Sequence, residues 1–302
     1  MTIDFTKKWH EFKLSRLGSF TRSYVRLYYV MLHEFKLSRL GSFTRSPVRL
    51  YYVMEYLWPR LKNGLIWAFT SNEITNFTYD LTKRNKRHLA YAVAAVTGKG
   101  WQEITGYLQE AETDEMLGRV LKRRNLDHFR RFFSDENFQF GRRLAWYAVV
   151  RAVKPKVVVE TGIDKGLGSA LLCAALRRNA EEGFPGRYFG TDIDPNAGYL
   201  LGPPYDEFGE ILRGDSIESL KALSLPIDVF INDSDHSRDY ERQEYDVVSD
   251  KLTSAAIVIG DNAHVTDELA DFAERTGRHF LFFRETSESF WYPGDGAGFA
   301  YR

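Results

Sequence analysis

The sequence is poor in cysteine, has no net charge and contains no long apolar run. Cys173 is the only cysteine in 302 residues, which excludes an intrachain disulfide and a cysteine-based metal site. Basic and acidic residues number 41 each, so no overall attraction to nucleic acid or an anionic membrane is expected. No apolar stretch approaches the length of a membrane span, and residues 1–8 lack the apolar core of a signal peptide. We therefore expect a globular, cytoplasmic protein.

An almost exact internal repeat stands near the beginning of the chain. Residues 10–31 recur as residues 33–54, and the two copies differ only where Tyr24 becomes Pro47. A solenoid needs at least three units that have diverged, so a recent duplication or a cloning artefact explains the repeat better. Because proline is tolerated in a first helical turn, a helix is predicted from near Ser46 towards Trp58. The basic and aromatic repeat favours a solvated helix or an oligomer contact over an arm that binds nucleic acid or membranes.

The rest of the chain begins with helices and continues as alternating strands and helices. Apolar residues at three- and four-residue spacing predict helices at 87–96, 101–112, 115–124 and 142–152. Strands are predicted at 156–160, 187–192, 209–213, 228–232, 255–260, 279–284 and 298–301. Helices between them are predicted at 169–181, 217–223, 240–252 and 267–276. This order is typical of a Rossmann-like α/β fold, a mostly parallel sheet with helices on both faces. We expect a helical region over 1–140 and the sheet domain over 141–302.

A glycine-rich turn follows the first of these strands. Glu160 ends a run of three valines, and Gly162, Gly166 and Gly168 come after it. Glycine lets the backbone turn tightly and approach a ligand, and Ser169 is suited to cap the following helix. The spacing differs from the GxGxxG of dinucleotide sites, and a glycine-rich turn alone is a weak signal.

Acidic residues stand at the ends of the predicted strands, where open parallel sheets bind their ligands. They are Glu160, Asp192, Asp215, Asp233 and Asp261. Carboxylates gathered at one edge repel each other unless cations or hydrogen-bond donors lie among them. A nucleoside with a sulfonium group, ribose hydroxyls and an exocyclic amine suits the first three.

A second set of polar residues follows the later strands. Asp233, Asp261 and Asn262 offer two carboxylates and an amide oxygen, a hard set of ligands that suits Mg²⁺ or Ca²⁺. His236 titrates near neutrality and is a candidate general base, for which His264 is a competitor. Asp233 also has an ordinary explanation as the cap of the helix that follows it.

Residues 140–302 resemble the class I S-adenosylmethionine-dependent methyltransferases. The turn after Glu160 resembles motif I, and Asp192 falls where that family places its ribose-binding carboxylate. The run Phe-Ile-Asn-Asp-Ser-Asp-His at 230–236, with a later Gly-Asp-Asn, resembles the metal-dependent O-methyltransferases of the catechol, caffeoyl-CoA and macrolide-sugar types. The resemblance implies a seven-stranded sheet and metal ligands at Asp233, Asp261 and Asn262. It also implies a cofactor site made of Glu160, Gly162, Gly166, Gly168, Ser169, Asp192, Asp215 and Ser216.

We therefore expect an S-adenosylmethionine- and Mg²⁺-dependent O-methyltransferase that acts on a hydroxyl of a small molecule such as a sugar, phenol or natural product. His236 and Asp233 are the predicted catalytic residues. No nucleic-acid or membrane partner is expected, and the N-terminal helices are expected to shape the acceptor site or a homo-oligomer. Aromatic residues at 199–205 and 291–292 are further candidates for the acceptor site. Two alternatives stay open: a metal-independent N- or O-methyltransferase, and a non-catalytic binding or assembly protein with this fold.

Overall fold

The computed structural model describes residues 41–74 and 77–302. The chain divides into two compact units between Ile66 and Trp67. Helix α1 (Gly41–Thr70) contains both Pro47 and Pro59. The predicted start near Ser46 is therefore wrong. A proline removes one backbone hydrogen bond, and here the neighbouring turns continue the helix past it.

The first copy of the repeat, at residues 10–31, lies outside the described residues. None of the described helices is both long and apolar enough to cross a membrane.

Helices precede the sheet within the second unit, as predicted. They are α2 (Lys83–Thr97), α3 (Trp101–Glu112), α4 (Glu115–Leu126) and α5 (Arg143–Val153), with a 3₁₀ turn at Phe129–Phe133. The Thr82 hydroxyl caps α2, and the Asp114 carboxylate caps α4, each by accepting a hydrogen bond from a backbone amide. Helix α5 is buried from Leu144 to Ala152, because it packs against both the other helices and the sheet domain. The domain boundary near residue 140 stays a prediction.

The sheet has seven strands in the order β3-β2-β1-β4-β5-β7-β6. The strands are β1 (Val157–Thr161), β2 (Arg187–Asp192), β3 (Gly209–Arg213), β4 (Ile227–Asn232), β5 (Leu252–Asp261), β6 (His279–Arg284) and β7 (Gly296–Tyr301). Strands β1 to β5 pair in parallel, and β7 is antiparallel to both β5 and β6. The predicted Rossmann-like, mostly parallel sheet of seven strands is confirmed.

Helices cover both faces of this sheet. They are α6 (Leu167–Glu181), α7 (Ser216–Ala222), α8 (Arg238–Ser249) and α9 (Glu268–Thr276). Val158 of β1 belongs to the core with α5 and α6, whereas its neighbours Val157 and Val159 belong to the core with α8 and α9. All five residues of β1 are buried, which explains why the central strand consists of β-branched residues without polar alternation.

Candidate active site

The carboxyl ends of the parallel strands open into one cavity of about 740 Å³. All five strand-end acids predicted from the sequence line it: Glu160, Asp192, Asp215, Asp233 and Asp261. The cavity lining also includes Gly162, Gly168, Ser216, His236 and Asn262. Of the residues predicted to form the site, only Gly166 and Ser169 lie outside the lining.

The glycine turn between β1 and α6 is shaped by neighbouring loops. Gly162 has φ +77°, and a Cβ there would lie 2.1 Å from the backbone oxygen of Asp233. Gly166 has φ +86°, and its Cβ would lie 2.7 Å from the Cα of Gly198. At both positions a side chain is missing because another segment of the backbone fills the space, which the sequence alone does not reveal.

Ser169 does not cap α6, so that prediction is wrong. The helix begins at Leu167, after Gly166, which places Ser169 inside the first turn. Its buried hydroxyl donates to Glu160 over 3.2 Å and lies 2.7 Å from the hydroxyl of Tyr188, which also bonds Glu160. Ser169 therefore orients Glu160 from behind the cavity wall. Burial raises the pKa of Glu160 to about 7, against the lowering effect of the Tyr188 bond.

The carboxylate of Asp192 is fixed by backbone amides at the end of β2. The amide of Asp164 donates to one oxygen and the amide of Asp194 to the other, both over 2.8 Å. Each carboxylate oxygen keeps a second lone pair for a ligand. Asp192 is therefore pre-oriented to accept hydrogen bonds from neighbouring hydroxyls in the cavity.

Asp215 and Ser216 lie at the beginning of α7. Asp215 caps this helix by accepting from the amide of Glu218 over 3.0 Å. The hydroxyl of Tyr240, on α8, donates to Asp215 over 2.9 Å and lies 2.9 Å from the hydroxyl of Ser216. Sequence reasoning missed Tyr240, because nothing in its helical context distinguishes it from a packing residue.

A buried carboxyl group, that of Glu244, bonds several residues around this part of the cavity. It accepts hydrogen bonds from Ser216 and Asn232, from Ser234 over 2.7 Å, and from Thr161 over 3.3 Å. Burial raises the pKa of Glu244 to about 7, although these bonds act to lower it. The group is therefore more easily protonated in the folded chain than in the unfolded one.

The Glu244→Gln variant is expected to change how stability depends on pH. Since the folded pKa of about 7 lies above the ordinary 4.5, the carboxyl stabilises the fold fully below pH 4.5 and loses this contribution as pH rises through 7. From pH 4 to 8, wild type should lose on the order of 3 kcal/mol of unfolding free energy relative to the variant. Urea denaturation at several pH values measures this difference. A constant difference would contradict the prediction.

The predicted metal ligands and base come together in the same cavity. Asp233, His236 and Asp261 each place a ligand atom within 4.8 Å of the others. Asn262 follows β5 with φ +51°, and within the described chain its buried Oδ1 has no hydrogen-bond partner. An unpaired buried oxygen beside two carboxylates is the arrangement expected around a cation.

His236 is held between two groups. Its Nε2 lies 3.2 Å from the side-chain nitrogen of Asn262 and 3.7 Å from Asp233, and its Nδ1 lies 3.3 Å from Glu241. If Nε2 accepts from Asn262, the proton is on Nδ1 and donates to Glu241. Burial lowers the pKa of His236, but the bond to Glu241 and the charge of Asp261 raise it above its ordinary value overall.

Arg142 contributes a cation that sequence reasoning missed. Its Nε and Nη2 donate to the two oxygens of Asp261, and its Nη1 donates to Glu285 over 3.0 Å and lies 3.6 Å from Asp295. Arg142 is only 7% exposed. Burial alone would raise the pKa of Asp261. The charge and bonds of this guanidinium instead hold that pKa below its ordinary value.

The neighbouring Arg143 lies near the other carboxylate. Its Nη2 is 3.6 Å from Asp233, and its guanidinium carbon lies 5.3 Å from the ring centroid of Trp146. Burial and the charge of Asp261 nevertheless raise the pKa of Asp233 well above its ordinary value. Consecutive residues at the beginning of α5 therefore set the charge of both carboxylates.

The donor set fits a divalent cation. When ionised, the four carboxylates of Asp233, Asp261, Glu285 and Asp295 exceed the two guanidinium charges by two, and a divalent ion would balance this excess. The fork of Arg142 uses one lone pair on each oxygen of Asp261 and leaves the others available. Asp233, Asp261 and Asn262 are the oxygen ligands, as a hard cation requires.

Only some of the other residues predicted for the acceptor site or as a general base line the cavity. Tyr292 lines the cavity, together with Phe77, Thr78 and Tyr79 from the segment before α2. The aromatic residues at 199–205 do not: Tyr199 and Tyr205 are buried in the core. The side chain of His264 is 43% exposed and lies outside the cavity lining. No local motif marks residues 77–79, because they reach the cavity only through the fold.

Part of the sheet domain matches a known family model. Residues 159–263 match the family model of a methyltransferase domain. This stretch of the chain is therefore similar to methyltransferase domains. This confirms the predicted enzyme class, an S-adenosylmethionine-dependent methyltransferase. No curated protein matches the chain.

Solved methyltransferases are similar to this domain at low identity. The O-methyltransferase TomG of Streptomyces achromogenes, involved in tomaymycin synthesis and solved with S-adenosylmethionine, is 15% identical with a TM-score of 0.48. That match covers 62% of this chain and 89% of TomG. The methyltransferase PaMTH1 of Podospora anserina, solved with S-adenosylhomocysteine, is 13% identical with a TM-score of 0.44, over 64% of this chain and 93% of that one.

Proposed function

We propose that this methyltransferase transfers a methyl group from S-adenosylmethionine to a hydroxyl oxygen of a small molecule, with Mg²⁺ at Asp233, Asp261 and Asn262. The observation that carries this proposal is the meeting of these three residues and His236 in the cavity that the donor-binding turn also lines. Donor and acceptor can then lie side by side, which an in-line methyl transfer requires.

The donor half of the cavity is formed by β1, β2 and the beginning of α7. Asp192, oriented by its two backbone amides, accepts hydrogen bonds from the ribose hydroxyls. Asp215, held by Tyr240, is suited to the exocyclic amine of the adenine. Glu160 faces the positively charged part of the donor. These assignments follow from carboxylates placed at successive strand ends.

The acceptor half is formed by the residues around His236. Once the acceptor hydroxyl displaces the Asn262 amide, Nε2 of His236 takes the hydroxyl proton, and Glu241 stabilises the imidazolium that forms. Asp233, 3.7 Å from Nε2, supports the same charge. When bound, the cation would lower the pKa of the acceptor hydroxyl. Tyr292 and Phe77, whose ring centroids lie 5.9 Å apart, supply apolar surface to the same cavity.

One observation favours a second candidate, a metal-independent methyl transfer. The guanidinium of Arg142 already pairs with both oxygens of Asp261, so this carboxylate is neutralised within the protein. Asp233 and His236 would then act directly on the acceptor. The two candidates differ in whether Asp261 meets a cation from solution.

Chelation and one substitution distinguish them. Conversion of S-adenosylmethionine is measured by the formation of S-adenosylhomocysteine with a panel of catechols, phenols and sugars. With a metal at the site, EDTA and the Asp261→Asn variant are each expected to lower the rate at least tenfold, because a substituted or metal-free site no longer activates the hydroxyl. Added Mg²⁺ should restore the rate of the wild type after EDTA but should not restore the rate of the variant. Full activity in EDTA would support the metal-independent candidate.

A further inference from the structure

Lys165, in the glycine turn after β1, carries a buried ammonium group that forms no hydrogen bond with a carboxylate of the described residues. Its side chain is 12% exposed and lines the cavity. Among residues 41–74 and 77–302, its Nζ has no hydrogen-bond partner. A lysine ammonium offers three donors, and leaving them unmet in a buried position is costly. The position therefore calls for an acceptor that comes from a ligand.

The nearest acid does not meet this requirement. Glu73 lies 4.0 Å from Nζ of Lys165, beyond hydrogen-bond distance. Both oxygens of Glu73 are already engaged, one by the hydroxyl of Thr78 over 2.9 Å and the other by its amide over 3.1 Å. Glu73 thus lowers the cost of burying the ammonium through its charge, and it leaves the donors of Lys165 without an acceptor among the described residues.

The charges of the cavity indicate which ligand group Lys165 takes. Arg142 and Arg143 both lie beside the Asp233 and Asp261 carboxylates. The donor half of the cavity has acids at Glu160, Asp192 and Asp215, and Lys165 is the cation on the same turn as Gly162 and Gly168. S-adenosylmethionine carries two positive groups, the sulfonium and the α-ammonium, and a single anionic one, the α-carboxylate.

We propose that Lys165 binds the α-carboxylate of the methyl donor and so fixes the methionyl tail. This inference rests on the proposed function only through the identity of the donor. A charge-assisted hydrogen bond from a buried ammonium is the strong type of hydrogen bond, so it contributes substantially to donor affinity. Because the product keeps the same tail, Lys165 binds S-adenosylhomocysteine equally.

A pair of ligands tests this assignment. S-adenosylhomocysteine has the amino-acid tail, and 5′-methylthioadenosine keeps the adenosine and sulfur but lacks the tail. Calorimetry measures both with wild type, Lys165→Met and Lys165→Arg. The Lys99→Met variant is the matched control, since Lys99 is exposed in the loop between α2 and α3. Thermal unfolding without ligand shows that each variant is folded.

Lys165→Met is expected to weaken S-adenosylhomocysteine binding by about tenfold to a hundredfold, and to leave 5′-methylthioadenosine binding within about twofold. Lys165→Arg should recover part of the loss, and Lys99→Met should change neither. Either of two results would overturn the assignment: equal weakening of both ligands, or unchanged binding of both. In the second case the ammonium would bind the methyl acceptor instead. If wild type itself bound no S-adenosylhomocysteine, the proposed function would fail with it.

Discussion

Replacing Arg142 with methionine is expected to lower the free energy of unfolding by about 3–5 kcal/mol, because it leaves buried carboxylates without their cation. Asp261 and Glu285 are each about 1% exposed, and both bond this guanidinium. Methionine fills a similar volume, so the loss measures charge and hydrogen bonding more than packing. Without this guanidinium the pKa of Asp261 would rise, because the charge and bonds of Arg142 hold it below its ordinary value.

Urea denaturation at pH 7 measures this loss, and Arg143→Met is the matched control. The guanidinium of Arg143 lies 3.6 Å from the carboxylate of Asp233, and its side chain is 19% exposed. Removing it should therefore lower the free energy of unfolding by only about 1 kcal/mol. Lowering the pH should reduce the difference in unfolding free energy between Arg142→Met and wild type, since protonation of Asp261 removes its uncompensated charge in the variant. An Arg142→Met variant as stable as Arg143→Met would show that the buried pair contributes little.

Much of the sheet domain is predictable because its signals are local. The valine run of β1 and the short apolar run of β4 lie between amphipathic helices, and strands β2, β3 and β6 begin and end at the predicted residues. In a parallel sheet, strand ends with the same direction meet at one edge. This is why acids distant in sequence, such as Asp192 and Asp261, were correctly expected to lie around one site.

The parts that were missed depend on contacts between segments distant in sequence. Arg142 and Glu285 are 143 residues apart, and the hydroxyl of Tyr79 donates to Glu285 over 2.7 Å from 206 residues away. No spacing rule predicts such partners, and an arginine before a helix is ordinarily read as a surface charge. The predicted start of helix α1 is wrong for a different reason: the prediction gave too much weight to the local effect of Pro47.

The Gly162→Ala variant is expected to lose about a hundredfold in the rate of methyl transfer, whereas Gly98→Ala keeps the full rate. A Cβ at Gly162 would lie 2.1 Å from the carbonyl oxygen of Asp233 and 2.5 Å from the Cα of Ser234. Both are backbone atoms and cannot rotate away, so the loop after β4 must shift by about 1 Å. A displacement of this size at reacting groups costs on the order of a hundredfold in rate.

Gly98 separates this clash from backbone strain. It has φ +68°, close to the +77° of Gly162, but a Cβ there would meet nothing within 4 Å. Gly98→Ala therefore carries only the penalty of a left-handed backbone, about 1–2 kcal/mol of stability, with no effect on the site.

Calorimetry with S-adenosylhomocysteine measures the effect of the clash on both variants, and denaturation measures the effect of backbone strain. Since Asp233 is both a proposed metal ligand and a neighbour of His236, the Gly162 variant should lose Mg²⁺ binding as well. Equal behaviour of the two variants would mean that the loop after β4 moves aside freely, and that Gly162 serves the turn through its φ angle alone.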